Sequence, residues 1–178
     1  MKKILAFAGS NSSTSINQIL INHVAERING HEIKIIELRK FDIPMFSIDL
    51  EKERGIPTDI KVLKNQIEEH DALIISVNEH NGTVSAFFKN IIDWLSRLDR
   101  RFLKGKKILL MSTSPGSRGA AAALDYAKGM FPRFGGNVVE SFSFPSFKDN
   151  MIDKKVQNEV LDMGIEDVLT TFAHEIEN

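Results

Sequence analysis

From Ala6 to Asn17 the chain reads Ala-Phe-Ala-Gly-Ser-Asn-Ser-Ser-Thr-Ser-Ile-Asn: a hydrophobic run, then one glycine, five hydroxyl side chains and two asparagines, with no lysine or arginine. Small polar side chains ahead of a helix suit an anion, because the first amides of a helix lack partners and the helix dipole favours negative charge there. The plainer alternative is a turn in which Ser15 or Thr14 caps the helix. Two further segments share this composition, Asn78–Thr83 (Asn-Glu-His-Asn-Gly-Thr) and Ser112–Gly119 (Ser-Thr-Ser-Pro-Gly-Ser-Arg-Gly). Their glycines would let backbone amides come close to a flat ligand.

Elements that would position these segments follow from the apolar pattern. Ile4–Ala8, Glu32–Leu38, Ala72–Val77, Lys107–Met111 and Asn137–Phe144 read as strands, and Ala72–Val77 is apolar enough to be buried on both faces. Helices are expected at Ser15–Asn29, Asp59–His70, Val84–Leu98, Gly119–Phe131 and Lys154–Ile176. In Val84–Leu98 the residues Val84, Phe87, Phe88, Ile91, Leu95 and Leu98 recur at helical spacing, while Lys89 and Asp93 face away as an i,i+4 pair. Trp94 reads as core or subunit contact. Five β–α units with short links predict a parallel sheet with helices on both faces, in one domain spanning residues 1–178. The exception is the link Arg39–Thr58, whose tip Ile43-Pro44-Met45-Phe46 either folds back on the core or forms a ligand-site wall or subunit contact.

In such a sheet, ligands collect beyond the carboxyl ends of the strands, where all three polar segments fall. Several uses of the architecture are excluded. There is no Gly-x-Gly-x-x-Gly, no Gly-Lys-[Ser/Thr], no carboxylate at the end of the first strand, and no Gly-x-Ser-x-Gly elbow. The absence of cysteine removes thiol catalysis, disulfides and Fe–S clusters, and the five histidines are scattered, against a metal site. A formal net charge of −1 without a basic stripe speaks against nucleic acid, and mildly against a strongly acidic electron carrier. The apolar stretch of Met1–Ser10 is too short for a signal peptide, and no run is long enough to span a membrane, so a cytoplasmic protein is expected. What remains is a phosphate-bearing ligand held by hydroxyls and amides.

Three segments resemble the NADPH-dependent FMN reductase family of flavodoxin-like proteins. Gly9-Ser10-Asn11-Ser12-Ser13-Thr14-Ser15-Ile16-Asn17 is similar to Gly-Ser-x-Arg-x-x-Ser-x-Asn, matching at Gly9, Ser10, Ser15 and Asn17. Asn78–Thr83, followed by Lys89-Asn90-Ile91-Ile92-Asp93-Trp94, is similar to Pro-Glu-Tyr-Asn-x-Ser and Lys-Asn-x-x-Asp-Trp. Ser112–Gly119 is similar to the loop at the pyrimidine edge of the flavin. The resemblance implies a three-layer flavodoxin-like α/β fold with a five-stranded parallel sheet of order 2-1-3-4-5. It implies bound FMN with NADPH or NADH as cosubstrate, and a homodimer or dimer of dimers. Hydride would pass through flavin N5 to flavin, quinone, azo or metal-ion acceptors. The alternative is a flavin-binding electron-transfer module without NAD(P)H turnover; a third reading is a non-flavin phosphate binder.

By the same resemblance Gly9, Ser10, Ser12, Ser15, Ile16 and Asn17 would bind the cofactor, with Ser10, Ser15 and Asn17 gripping its phosphate. Asn78, Glu79, His80, Asn81, Gly82 and Thr83 would flank the ring, and Ser114, Pro115, Gly116, Ser117, Arg118 and Gly119 would line its polar edge. No catalytic side chain is assigned, since such chemistry belongs to the cofactor. Three positions depart from the pattern or stay open. Ser12 stands where the family has arginine, which predicts weaker phosphate binding and leaves the NADPH preference open. Asn78 and His80 replace proline and tyrosine, and His80 is either a solvent-facing loop residue or a group that tunes the flavin potential near neutral pH. Arg118 either meets negative charge on flavin or pyridine nucleotide, or is a surface residue.

Overall fold

The computed structural model describes residues 1–178. Its strands are β1 (Lys3–Ala8), β2 (Glu32–Ile35), β3 (Ala72–Val77), β4 (Glu79–His80), β5 (Thr83–Val84), β6 (Lys107–Thr113), β7 (Asn137–Phe144), β8 (Met151–Ile152) and β9 (Lys155–Val156). The helices are α1 (Ile16–Ala25), α2 (Ile48–Arg54), α3 (Thr58–Glu69), α4 (Ala86–Leu98), α5 (Ala121–Met130), α6 (Phe147–Asn150) and α7 (Glu159–Glu177). Five strands pair in parallel in the order β2-β1-β3-β6-β7, which is 2-1-3-4-5 when only this sheet is counted. β4–β5 and β8–β9 are separate antiparallel hairpins.

Strand alternation sorts the interior into two cores. Leu5, Phe7, Leu73, Ile75 and Leu110 point to one face, where residues of α3, α4 and α5 cover them. Ile4, Ala6, Ile74, Leu109 and Met111 point to the other, under α1 and α7. All six residues of β3 are buried, as expected of a central parallel strand covered on both sides. On α4 the apolar stripe puts Phe88, Ile91, Ile92, Trp94 and Leu95 inside, and Lys89 bonds Asp93 at 2.6 Å on the outer face.

The structure departs from the sequence expectations where elements are short or end on tertiary contacts. α1 stops at Ala25, not Asn29; just beyond it Arg27 turns to Asp162, at 2.6 Å, and to Glu166 on α7. The link after β2 contains a 3-10 turn, Leu38–Lys40, and α2. α2 buries no residue, so it has no apolar stripe to announce it; the Ser47 hydroxyl caps it by accepting from Leu50 N–H. The hydrophobic tip folds back on the core: Phe46 meets the Trp94 ring edge-on at 5.0 Å, and the Pro44 carbonyl accepts the indole N–H at 2.8 Å. Trp94 is fully buried, while Met45 and Ile48 remain exposed. The last helix begins at Glu159, not Lys154, because α6 and the β8–β9 hairpin precede it. The hairpin turn puts Asp153 and Lys154 at positive φ, where glycine or asparagine would have signalled it.

Candidate functional site

Because β1, β3 and β6 are neighbours, the segments that follow them converge at the carboxyl edge of the sheet. Between them lies an open cleft of about 210 Å³. Ser10, Ser12, Ser15, Ile16 and Asn17 line it from the first segment, Asn78, Glu79 and His80 from the second, and Ser114 and Pro115 from the third, with Thr14 and Thr113 completing the wall.

The first segment is organised by its own hydroxyls. Ser10 Oγ accepts the Ser12 N–H at 3.2 Å, Ser12 Oγ accepts the Thr14 N–H at 3.2 Å, and Ser15 Oγ caps α1 by accepting the Gln18 N–H at 3.2 Å. These bonds leave the amides of Ser13, Ser15, Ile16 and Asn17 without a protein acceptor. Capping and an exposed row of donors therefore coexist. The Asn17 side chain is otherwise engaged: Oδ1 accepts the Ser76 hydroxyl at 2.7 Å and the Thr113 N–H at 3.2 Å, and Nδ2 donates to the Thr113 carbonyl at 3.3 Å. It ties the first turn of α1 to the ends of β3 and β6. Gly9 does not line the cleft. It lets Phe88 approach, since a Cβ there would lie 2.7 Å from the ring.

The second segment is a hairpin whose two-residue turn is Asn81-Gly82, both at positive φ. That turn and Thr83 do not line the cleft. His80 is exposed at the rim, and no hydrogen bond involves its ring. Glu79 reaches across to α5, where Oε2 accepts the Ala123 N–H at 3.1 Å. The N-cap residue of that helix, Ala120, has no side chain able to do this and sits at φ 63. Asn78 is nine-tenths buried, and its Oδ1 is buried without any partner. A buried acceptor left open on a cleft wall suits a ligand hydroxyl or N–H.

In the third segment, Gly116, Ser117, Arg118 and Gly119 lie outside the cleft lining. Ser146 and Phe147 donate backbone N–H groups to the Gly116 and Ser114 carbonyls at 2.9 and 3.0 Å, fixing the turn. Gly119 is required at φ +56, where a Cβ would lie 2.9 Å from the Phe144 carbonyl carbon. Arg118 is exposed.

Sequence reasoning did not find Gln18, Asn22, Glu37 and Arg39, which line an adjoining cleft of about 250 Å³ with Ser10 and Ser12–Ser15. Their signal was the sheet order itself, which sets the end of β2 beside the segment after β1. Lys40 and Arg39 both bond the Glu37 carboxylate, at 2.6 and 2.7 Å, and these contacts hold it below the usual carboxylate range. No cluster of acidic, histidine or cysteine side chains able to hold a metal is present.

A doubly wound parallel sheet with a donor-rich cleft, free of lysine and arginine, at the carboxyl ends of its central strands defines a flavodoxin-like ligand-binding protein. A sequence model of the NADPH-dependent FMN reductase family matches residues 2–149. The chain is 34% identical over 132 residues to a quinone reductase of Escherichia coli, covering 72% of this chain and 69% of that protein. It is 29% identical over 122 residues to an NAD(P)H-dependent FMN reductase of Pseudomonas aeruginosa, covering 68% and 64%. Among solved structures, the flavoenzyme NAD(P)H:(acceptor) oxidoreductase FerB of Paracoccus denitrificans superposes with a TM-score of 0.79 at 26% identity, over 99% of this chain and 98% of that one. The chain belongs to the NADPH-dependent FMN reductase family. It is an NAD(P)H-dependent oxidoreductase with FMN as cofactor.

Proposed function

We propose that the protein is an NAD(P)H:quinone-type oxidoreductase whose FMN occupies the cleft between the segments after β1, β3 and β6. The observation that supports this placement is that Asn78, whose buried Oδ1 has no partner, lines the same cleft as the open amides at the start of α1. The quinone assignment rests on the quinone reductase relative and on a chemistry that needs only access to the flavin.

In this reading the amides of Ser13, Ser15, Ile16 and Asn17, with the Ser10 hydroxyl, hold the phosphate through neutral donors and the α1 dipole. The Asn17 side chain positions that turn and leaves phosphate contact to its backbone. Asn78 Oδ1 accepts from the ribityl chain or the ring. His80, Ser114 and Pro115 border the ring at the rim. Held by these residues, FMN would supply the redox chemistry, hydride acceptance from reduced pyridine nucleotide and electron delivery to the acceptor. The chain supplies orientation and no general acid or base.

Residues 1–178 are read as one domain. A second copy covering Met45, in the tip that docks on Trp94, and Ile48, just after it, both exposed, would make the homodimer.

FMN titration of the apoprotein, followed by NADH and NADPH oxidation with quinone, azo, metal-ion and free-flavin acceptors, tests the function. We expect saturable FMN binding and fastest turnover with quinones. No FMN binding at high micromolar concentration overturns the reading, and turnover confined to azo or metal-ion acceptors overturns the quinone assignment.

A further inference from the structure

The cleft that takes the phosphate in the proposed function contains no lysine or arginine. The adjoining cleft shares Ser10, Ser12, Thr14 and Ser15 with it, and on its far side stands one cation, Arg39. Arg39 is brought there by the parallel pairing of β2 with β1, which the Ile36 N–H extends by donating to the Ala6 carbonyl at 3.0 Å. Leu38, buried in the core, anchors the turn and leaves Glu37 and Arg39 facing outward.

The ion pairing at this corner is unbalanced. The Glu37 carboxylate receives Lys40 on one oxygen and Arg39 on the other, so the trio carries one surplus positive charge. Arg39 uses only its Nε in that contact, at 2.7 Å; its two Nη groups have no protein partner. A guanidinium with its outer edge free, beside a row of open amides, matches a phosphate monoester, which takes two parallel N–H donors from arginine. Glu37 remains neutralised by Lys40 when Arg39 turns away.

We propose that Arg39 supplies the phosphate-binding charge that the first loop lacks at Ser12, with Glu37 holding it beside the cleft until phosphate binds. The proposal rests on the placement of FMN given above and commits to the FMN phosphate, because the two clefts meet at the loop that would hold it. The 2′-phosphate of NADPH offers the same chemistry and is separated by the test.

The test measures the dissociation constants of FMN and riboflavin by flavin fluorescence for wild type, Arg39→Gln, Ser12→Arg and the double variant, with circular dichroism melts as a folding control. Arg39→Gln is expected to weaken FMN about tenfold to a hundredfold, the range for a charged hydrogen bond. Riboflavin, which has no phosphate, should bind equally to both. In the Ser12→Arg background the same substitution should cost less, because two arginines then serve one phosphate. Equal weakening of FMN and riboflavin overturns the proposal and assigns Arg39 a structural role. An unchanged FMN constant also overturns it; if the Michaelis constant then rises for NADPH alone, the charge belongs to the pyridine nucleotide. Wild-type protein that binds riboflavin and FMN equally well overturns the Arg39 proposal and leaves flavin binding intact, whereas binding of neither overturns both.

Discussion

Asn17 accepts the Ser76 hydroxyl at 2.7 Å, joining the first turn of α1 to the end of β3 beneath the amides that have no protein acceptor. Asn17, Ser76 and Thr113 are all buried. Asn17→Ala leaves the Ser76 hydroxyl and the Thr113 N–H unpaired and should cost about 1–3 kcal/mol in urea denaturation. Asn17→Asp retains the acceptor, so it should recover part of that stability; it also places an anion beneath the open amides, so on the proposed phosphate placement it should weaken FMN binding. Equal stability of wild type and the alanine variant would show that this network does not hold the turn.

Gly9 is set by packing against Phe88. Gly9→Ala drives a methyl group to 2.7 Å from the ring, and overpacking of this kind costs about 1–3 kcal/mol. Adding Phe88→Leu should return part of the loss in thermal melts, since the smaller side chain gives the methyl group room. A second substitution that only deepens the loss would argue against the ring contact as the cause.

Trp94 pins the segment after β2 through its bond to the Pro44 carbonyl. Trp94→Phe should cost at least the about 0.5–1.5 kcal/mol of a hydrogen bond and raise amide exchange between Asp42 and Leu50. Asn90→Ala should loosen the same segment further, because Asn90 accepts the Phe46 N–H at 2.8 Å and donates to Pro44 at 3.0 Å. Exchange unchanged in both variants would place the anchor elsewhere.

Acid should weaken the corner where α1, the β8–β9 hairpin and α7 meet. His23 Nδ1 contacts the Lys154 carbonyl at 3.1 Å and Nε2 faces Arg27 at 3.1 Å, an arrangement suited to the neutral ring. Burial first, then the Arg27 charge, push its pKa below the ordinary 6.5; the Lys154 carbonyl, Asp162 and Glu26 act the opposite way and are outweighed. Below 6.5 the unfolded chain binds a proton that the folded one resists. Stability present above that pH is therefore lost as pH falls toward the folded value, and the slope vanishes beneath it. Urea midpoints across mildly acid pH should show this decline for wild type and a flatter curve for His23→Gln. Parallel curves would rule His23 out as the source.

Much of this arrangement is legible in the sequence: burial on both faces gives Ala72–Val77 a plain signal that matches β3 to the residue, and the bounds expected for Asn137–Phe144 also match, although that edge strand is only half-buried. The convergence of three polar segments followed from the alternation of strands and helices. α2 and the β8–β9 hairpin were not legible, since neither has an apolar period and the hairpin turn is Asp-Lys. The site was only half visible for a related reason. Composition shows which side chains could bind a ligand, whereas partners decide which remain free. Asn17 spends its amide on Ser76 and Thr113, and Glu79 spends its carboxylate on Ala123. Arg39 enters only through the lateral order of strands, which no local pattern contains.

Two helices, α1 and α5, begin beside the cleft, and only one of them is open. With the Glu79 carboxylate already seated on α5, a phosphate meets repulsion there and unclaimed amides at α1. The cleft thus has a direction. In the binding mode proposed above, FMN would lie with its phosphate at α1, away from the Glu79 carboxylate, and its ring toward the rim at His80 and Pro115. A carboxylate that never meets the phosphate would then set which way round the ligand lies.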